Sequence, residues 1–180
     1  MEKEFQCLQD AEKSASFCIE CDLHNNRCKS VFAKGNPNAQ IMLVGEAPGK
    51  CENTKGIPFV GKAGDRLTKM LISVGFDVEK DIYFCNTVKC QPFNNRNPKP
   101  KEIETCKKYL DAQIKFVNPK IIILCGKVAA QTFGFEENLK DIHGKFIVKN
   151  NIKFFVIFHP IASINNEIKI KDFKKVKGEM

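Results

Sequence analysis

Apolar residues recur along this chain in two rhythms, and their alternation predicts the fold. Short runs with almost no polar interruption fall at 40–44 (Gln40-Ile41-Met42-Leu43-Val44), 81–85 (Asp81-Ile82-Tyr83-Phe84-Cys85), 121–125 and 153–158. Runs of this length, apolar on both faces, read as strands of a parallel sheet covered on each side. Between them the spacing lengthens to that of a helix. Over 64–75, Leu67, Met70, Leu71 and Val74 share one face and Gly75 supplies a stop. Over 101–117, Ile103, Cys106, Tyr109, Leu110, Ile114 and Val117 do the same, and Pro119 follows. A shorter helix is expected at 127–133, and a lysine-rich amphipathic stretch at 169–177.

Strands that alternate with helices imply a three-layer αβα sandwich around a mainly parallel, four-stranded sheet. The pattern shows no internal repeat and no second domain, so residues 1–180 are expected to form one domain. In open sheets of this class ligands collect at the carboxyl ends of the strands. Glu46 follows the first expected strand, Asn86 the second and His159 the last. That coincidence of polar residues points to a site there.

Composition narrows the class. The 180 residues carry 29 Lys+Arg against 21 Asp+Glu, a formal charge of +8, which favours an anionic partner. An ordinary hydrophobic fraction of 43% argues against disorder. The apolar runs at 121–125 and 154–158 are far too short to span a bilayer. The first residues, Met1-Glu2-Lys3-Glu4-Phe5-Gln6, lack the apolar core of a secretion signal, so a cytoplasmic protein is expected.

Nine cysteines in a reducing compartment favour metal ligation over disulfides. Cys18-x-x-Cys21 supplies two thiolates at chelating distance, and Cys90 and Cys106 would complete a set of four. On spacing alone, zinc and iron–sulfur both remain open, and so does a redox dithiol at Cys18/Cys21. Cys85 and Cys125 sit inside apolar runs, where a buried thiol behaves as a small hydrophobe.

Taken in order, the motifs resemble those of the family 4 uracil-DNA glycosylases, the iron–sulfur-containing type of bacteria and archaea. They are Cys18-Ile19-Glu20-Cys21-Asp22-Leu23; Gly45-Glu46-Ala47-Pro48-Gly49 with Glu52; Gly56-Ile57-Pro58-Phe59-Val60-Gly61-Lys62-Ala63-Gly64; Asn86-Thr87-Val88-Lys89-Cys90 with Asn95-Arg96 and Pro98; and His159-Pro160. Any one is modest evidence, but the ordered set is specific and spans most of the chain.

The resemblance implies a monofunctional enzyme that flips deoxyuridine from DNA, hydrolyses its N-glycosidic bond and leaves an abasic site. It implies a [4Fe–4S] cluster on Cys18, Cys21, Cys90 and Cys106. It implies Phe59 as the stacking residue, Asn86 as the reader of uracil N3–H and O4, and His159 as a donor to O2. Glu46 would orient or deprotonate the water, and the backbone from Gly45 through Ala47 would meet the base. Ala47 stands where better-known uracil glycosylases carry an aspartate, and the family 4 enzymes it resembles also have alanine there.

Departures from the family lie in the loop after His159. Ile164 replaces a common leucine as the wedge into DNA, and Asn165 replaces a frequent arginine. Lys169, Lys171, Lys174 and Lys175 would then supply phosphate contacts in place of that arginine. No basic, histidine-bearing insert follows Cys90, so turnover is expected rather than covalent trapping. The expected partner is uracil-containing DNA, single- or double-stranded, bound by a monomer. The competing readings are a non-catalytic DNA-binding module or processivity factor of the same fold and a zinc or thiol-redox protein unrelated to DNA. Intact Glu46, Asn86, Phe59 and His159 disfavour the first, and visible absorption from thiolate-bound iron separates the second.

Overall fold

Five isoleucine-, leucine- and valine-rich residues cannot expose either face to water, and the structure gives such segments two covers. The computed structural model describes residues 4–180. In chain order its elements are α1 (Leu8–Ser16), β1 (Lys34–Gly35), β2 (Ile41–Gly45), α2 (Lys50–Lys55), α3 (Lys62–Ser73), β3 (Ile82–Asn86), α4 (Pro100–Val117), β4 (Ile121–Cys125), α5 (Lys127–Thr132), α6 (Leu139–Ile142), β5 (Phe146–Lys149), β6 (Ile152–Ile157) and α7 (Asn166–Lys177). The strands form a six-stranded sheet in the order β1-β3-β2-β4-β6-β5. Its four central strands are parallel, with the register Gly45 opposite Asn86 and Cys125 opposite Ile157.

Successive side chains alternate between the two faces. Ile41, Leu43, Ile121 and Ile123 pack with Leu67 and Leu71 of α3 and Phe173 and Val176 of α7. Met42, Val44, Ile122 and Leu124 pack the other way, with Leu110 and Val117 of α4 and Ala129 and Ala130 of α5. This is the expected three-layer αβα arrangement. A third cluster docks the N-terminal segment on α4 through Phe5, Ala11, Ala15, Leu23, Tyr109 and Ala112, and it includes Cys90 and Cys106.

The sheet has two more strands than the four expected, and both are antiparallel edges. β1 is only two residues long and its residues are half-buried, so it leaves no periodic signal. β5 has an exposed end and joins β6 through Asn150 and Asn151, at φ 51° and 63°. Two consecutive positive φ values in a two-residue loop form a tight hairpin turn matched to strand twist. Helix α1 also escaped the pattern, because its buried face is alanine: Ala11 and Ala15 let it approach α4 closely.

Two boundaries matter for the site. The first two parallel strands run one residue beyond the apolar runs, so Gly45 and Asn86 are paired strand residues rather than loop residues. The chain passes from β2 to β3 on one side, then crosses back to β4 on the other. That reversal opens a crevice at the carboxyl ends of β2 and β4.

Candidate active site and thiol cavity

At the end of β2, glycine is required by space. A Cβ on Gly45 would lie 2.4 Å from Asn86 Oδ1 and 2.7 Å from Phe59 Cζ. The missing side chain therefore lets an amide and an aromatic ring converge over one backbone position. Asn86 is 4% exposed, and no hydrogen bond among the described residues occupies its side-chain amide. Its backbone carbonyl is held from behind by Lys89 Nζ at 2.5 Å, which also donates to Gln113 Oε1 at 2.7 Å. Gln113 in turn donates to Phe32 O and Tyr83 Oη. A fully buried network thus fixes the end of β3 against α4.

Phe59 has φ +53°, a conformation few side-chain-bearing residues adopt. Three contacts hold it there. Lys34 Nζ donates to Phe59 O at 2.9 Å. Glu52 Oε1 accepts from Val60 N at 3.2 Å and from Gly61 N, the cap of α3, at 3.1 Å. A Cβ on Gly64 would stand 2.1 Å from the Phe59 carbonyl, so only glycine permits this approach. The ring rests against Phe84 at 5.8 Å between centroids.

Glu46 and His159 complete the row of strand-end residues. The carbonyl of Glu46 accepts from the Thr87 hydroxyl and from Val88 N, while its half-buried carboxyl is pushed above the usual range by burial. His159 sits beside Gly126, at the end of β4: a Cβ on Gly126 would lie 3.8 Å from His159 Cβ. Burial, and then the Lys169 charge, push its imidazole below the usual histidine range. Ile161 N donates to Nδ1 over a long 3.5 Å, which leaves the ring proton of neutral His159 on Nε2. Such a neutral ring donates one hydrogen bond outward. Together these groups can clamp a planar heterocycle, read a donor–acceptor edge and donate to a second oxygen.

A second feature lies behind Asn86. Cys18, Cys21, Cys90 and Cys106 line one cavity with Ala15, Leu23, His24, Lys89 and Tyr109. Burial pushes the Cys90 thiol up and Cys106 up to about 12, while Arg27 and Lys89 pull them back. Arg27 Nη1 donates to Cys90 Sγ at 3.6 Å and to Cys18 O at 2.7 Å. Among the described residues, no three His, Cys, Asp or Glu side chains are grouped to hold a single metal ion.

The sequence of residues 32–178 matches the model of the uracil DNA glycosylase superfamily. A type-4 uracil-DNA glycosylase of Archaeoglobus fulgidus is 39% identical, covering 97% of this chain and 94% of that protein. The chain belongs to the type-4 uracil-DNA glycosylases. Further type-4 enzymes are 38% identical: one of Sulfurisphaera tokodaii over 94% of this chain and 83% of that protein, and one of Thermotoga maritima over 89% and 88%.

Among the residues singled out by this family's motifs, the fold brings Gly45, Phe59 and Asn86 together and sets Glu46, with Ala47 after it, beyond the end of β2 and His159 beyond the end of β6, on either side of β4. It gathers the four motif cysteines around one cavity. The expected phosphate contacts divide. Lys174 is exposed, but Lys175 donates to Gly144 O at 2.7 Å. Lys169 is corrected: it is 2% exposed and donates to Pro160 O and Ala162 O, so its ammonium faces the protein and not a phosphate. In the wedge loop Ile161 is 58% exposed whereas Ile164 is half-buried. Sequence reasoning missed the supports Lys34, Lys89 and Gln113. Of these only Gln113 leaves a trace, as a polar residue on the apolar face of α4 with Cys106, Tyr109 and Leu110; Lys34 lies in the two-residue β1 and Lys89 in the turn after β3.

Proposed function

We propose that this chain excises uracil from DNA, hydrolysing the N-glycosidic bond of a flipped deoxyuridine and leaving an abasic site. The observation that carries this reading is the convergence of the Asn86 amide and the Phe59 ring over Gly45. Asn86 Oδ1 accepts from uracil N3–H while Nδ2 donates to O4. Cytosine offers the reverse pattern and leaves both buried groups unpaired, which costs binding free energy. Phe59 stacks on the base, and its clamped backbone prepays the ordering of that contact.

His159 Nε2–H donates to O2 as charge grows on the departing base, an interaction stronger in the transition state than in the ground state. The Glu46 carboxylate orients the water that attacks C1′ and takes its proton. DNA is held by phosphate contacts from exposed lysines such as Lys174, with the Ile161–Ile164 loop filling the space the base vacates.

Cys18, Cys21, Cys90 and Cys106 fit a [4Fe–4S] cluster. Four thiols line one cavity, and two cationic groups, Arg27 and Lys89, stand against them. Hydrolysis moves no electrons, so a cluster held by these four thiols would serve as a cross-link between the N-terminal segment, the turn after β3 and α4.

The test is direct. Purified protein is incubated with an oligonucleotide containing one uracil, free uracil is quantified, and the strand is treated with alkali. Release of uracil with alkali-dependent cleavage at that position is expected, and cytosine or thymine at the same position should give neither. An intact strand and no free base would overturn the reading.

A further inference from the structure

We propose, on the glycosylase reading above, that Lys169 is a positioning residue for His159, holding the 159–165 loop from α7 so that the ring faces the departing base. Its Nζ donates to Pro160 O at 2.9 Å and to Ala162 O at 2.7 Å, the carbonyls one and three residues beyond His159. The loop closes on itself through Ala162 N to His159 O at 2.9 Å and Ile164 N to Ala162 O at 2.7 Å. Lys169 is therefore the point at which this turn is fastened to a helix.

Packing does not account for a lysine here. At 2% exposure, an apolar side chain would fill the same space without desolvating an ammonium. The ion pairs of α7 go elsewhere, Lys177 to Asp81 and Asp172 to His143. What the ammonium does make is two hydrogen bonds to loop carbonyls, which only a cationic or neutral donor of this length can supply.

The charge has a second consequence. The charged group that acts on His159 is Lys169 on α7; Lys169 in turn faces Arg66 of α3 and Cys125 at the end of β4, and Cys125 faces Glu46. His143 packs on Phe158, one residue away. A fixed cation beside the imidazole disfavours protonation and keeps His159 a neutral donor. It also favours the negative charge that grows on the leaving base.

The experiment compares the full-length chain with Lys169→Met and Lys169→Gln. Single-turnover uracil release is measured alongside DNA affinity as a function of salt. The His159 ring is titrated by NMR in the absence of DNA. For Lys169→Met we expect a rate roughly 100-fold lower, the cost of a misplaced group near the chemistry. DNA affinity and salt slope stay unchanged, and the His159 midpoint moves upward. Lys169→Gln keeps an amide donor without the charge, so it recovers part of the rate but shows the same raised midpoint. A Lys169→Met protein that keeps its rate, or whose salt slope falls by about one, overturns the proposal, the latter showing a phosphate contact. If the Met variant does not fold, the Gln variant decides by its midpoint. A wild-type chain that releases no uracil, with the midpoint still moved in the variants, sinks the glycosylase reading and leaves the positioning standing. An unmoved midpoint in both variants overturns the positioning.

Discussion

Asn86, Phe59 and Glu46 show how much of the site rests on single groups held by others. Among the described residues the side-chain amide of Asn86 has no hydrogen-bond partner, and its backbone is fastened by Lys89, so Asn86→Ala should remove two base contacts without disturbing the sheet. Uracil release should fall by on the order of 10³-fold, at about 1.4 kcal/mol per factor of ten, with an unchanged melting temperature. Near-wild-type release would remove Asn86 from its role. Phe59 is different, since its left-handed backbone costs about 1–3 kcal/mol that its neighbours must offset. Glu52→Ala frees Val60 N and Gly61 N and lets Phe59 relax, so KM should rise and kcat fall, whereas Glu52→Gln keeps the acceptor oxygen and should be milder. Steady-state kinetics on one oligonucleotide distinguishes them. Glu46 carries a carboxyl raised by burial. It must be ionised to take a proton from water, so as pH falls activity should be lost earlier than an exposed carboxylate would predict. The kcat/KM profile checks this, and in Glu46→Gln that limb should vanish along with a roughly 10²-fold or greater part of the rate.

At the scale of elements, α4 ties the site to the thiol cavity. Its first turn is set by Glu102, which accepts from Lys99 N at 2.6 Å and pairs with Arg96 through both oxygens, at 2.9 and 2.7 Å. Hydrogen bonding to Arg96 holds that carboxyl below its usual range. The pair also anchors the proline- and asparagine-rich loop after Cys90. Further along, Cys106 faces the cavity and Gln113 reaches the network behind Asn86. On the proposed cluster, Cys106→Ala should lose the visible absorption of thiolate-bound iron, and lower the melting temperature and soluble yield together with activity. A cluster-free variant melting like wild type would show that the cross-link adds nothing to the fold.

On the scale of the whole molecule, a charge of +8 makes association with DNA largely electrostatic. Binding should weaken steeply with salt, and with similar slopes for uracil-containing and undamaged duplexes, because phosphate contacts carry no base information. Lys174 is exposed on the last turns of α7, so Lys174→Ala should lower the slope of log K against log salt by about one and leave base preference unchanged. A wild-type slope in that variant would make the end of α7 a solvated surface. Lys175, engaged with Gly144 O, should contribute less than Lys174 to that slope.

The apolar runs by themselves determined the layer order, because a strand apolar on both faces has no stable place except between two layers of helices. They also put Glu46, Asn86 and His159 at one edge of the sheet, since parallel strands must end on the same side. Motif order carried the family and the four cysteines. Tertiary structure alone decided the rest. Edge strands such as β1 are too short to print a period, and α1 buries alanines that no hydrophobic pattern marks. Lys89 and Lys169 read as surface charges in a basic chain, yet each is buried and spends its protons on backbone carbonyls beside a site residue. Whether a lysine faces water or protein depends on which loop packs over it. Sequence spacing around the lysine carries no record of that packing, and only the folded arrangement shows that these two cations brace the site from within.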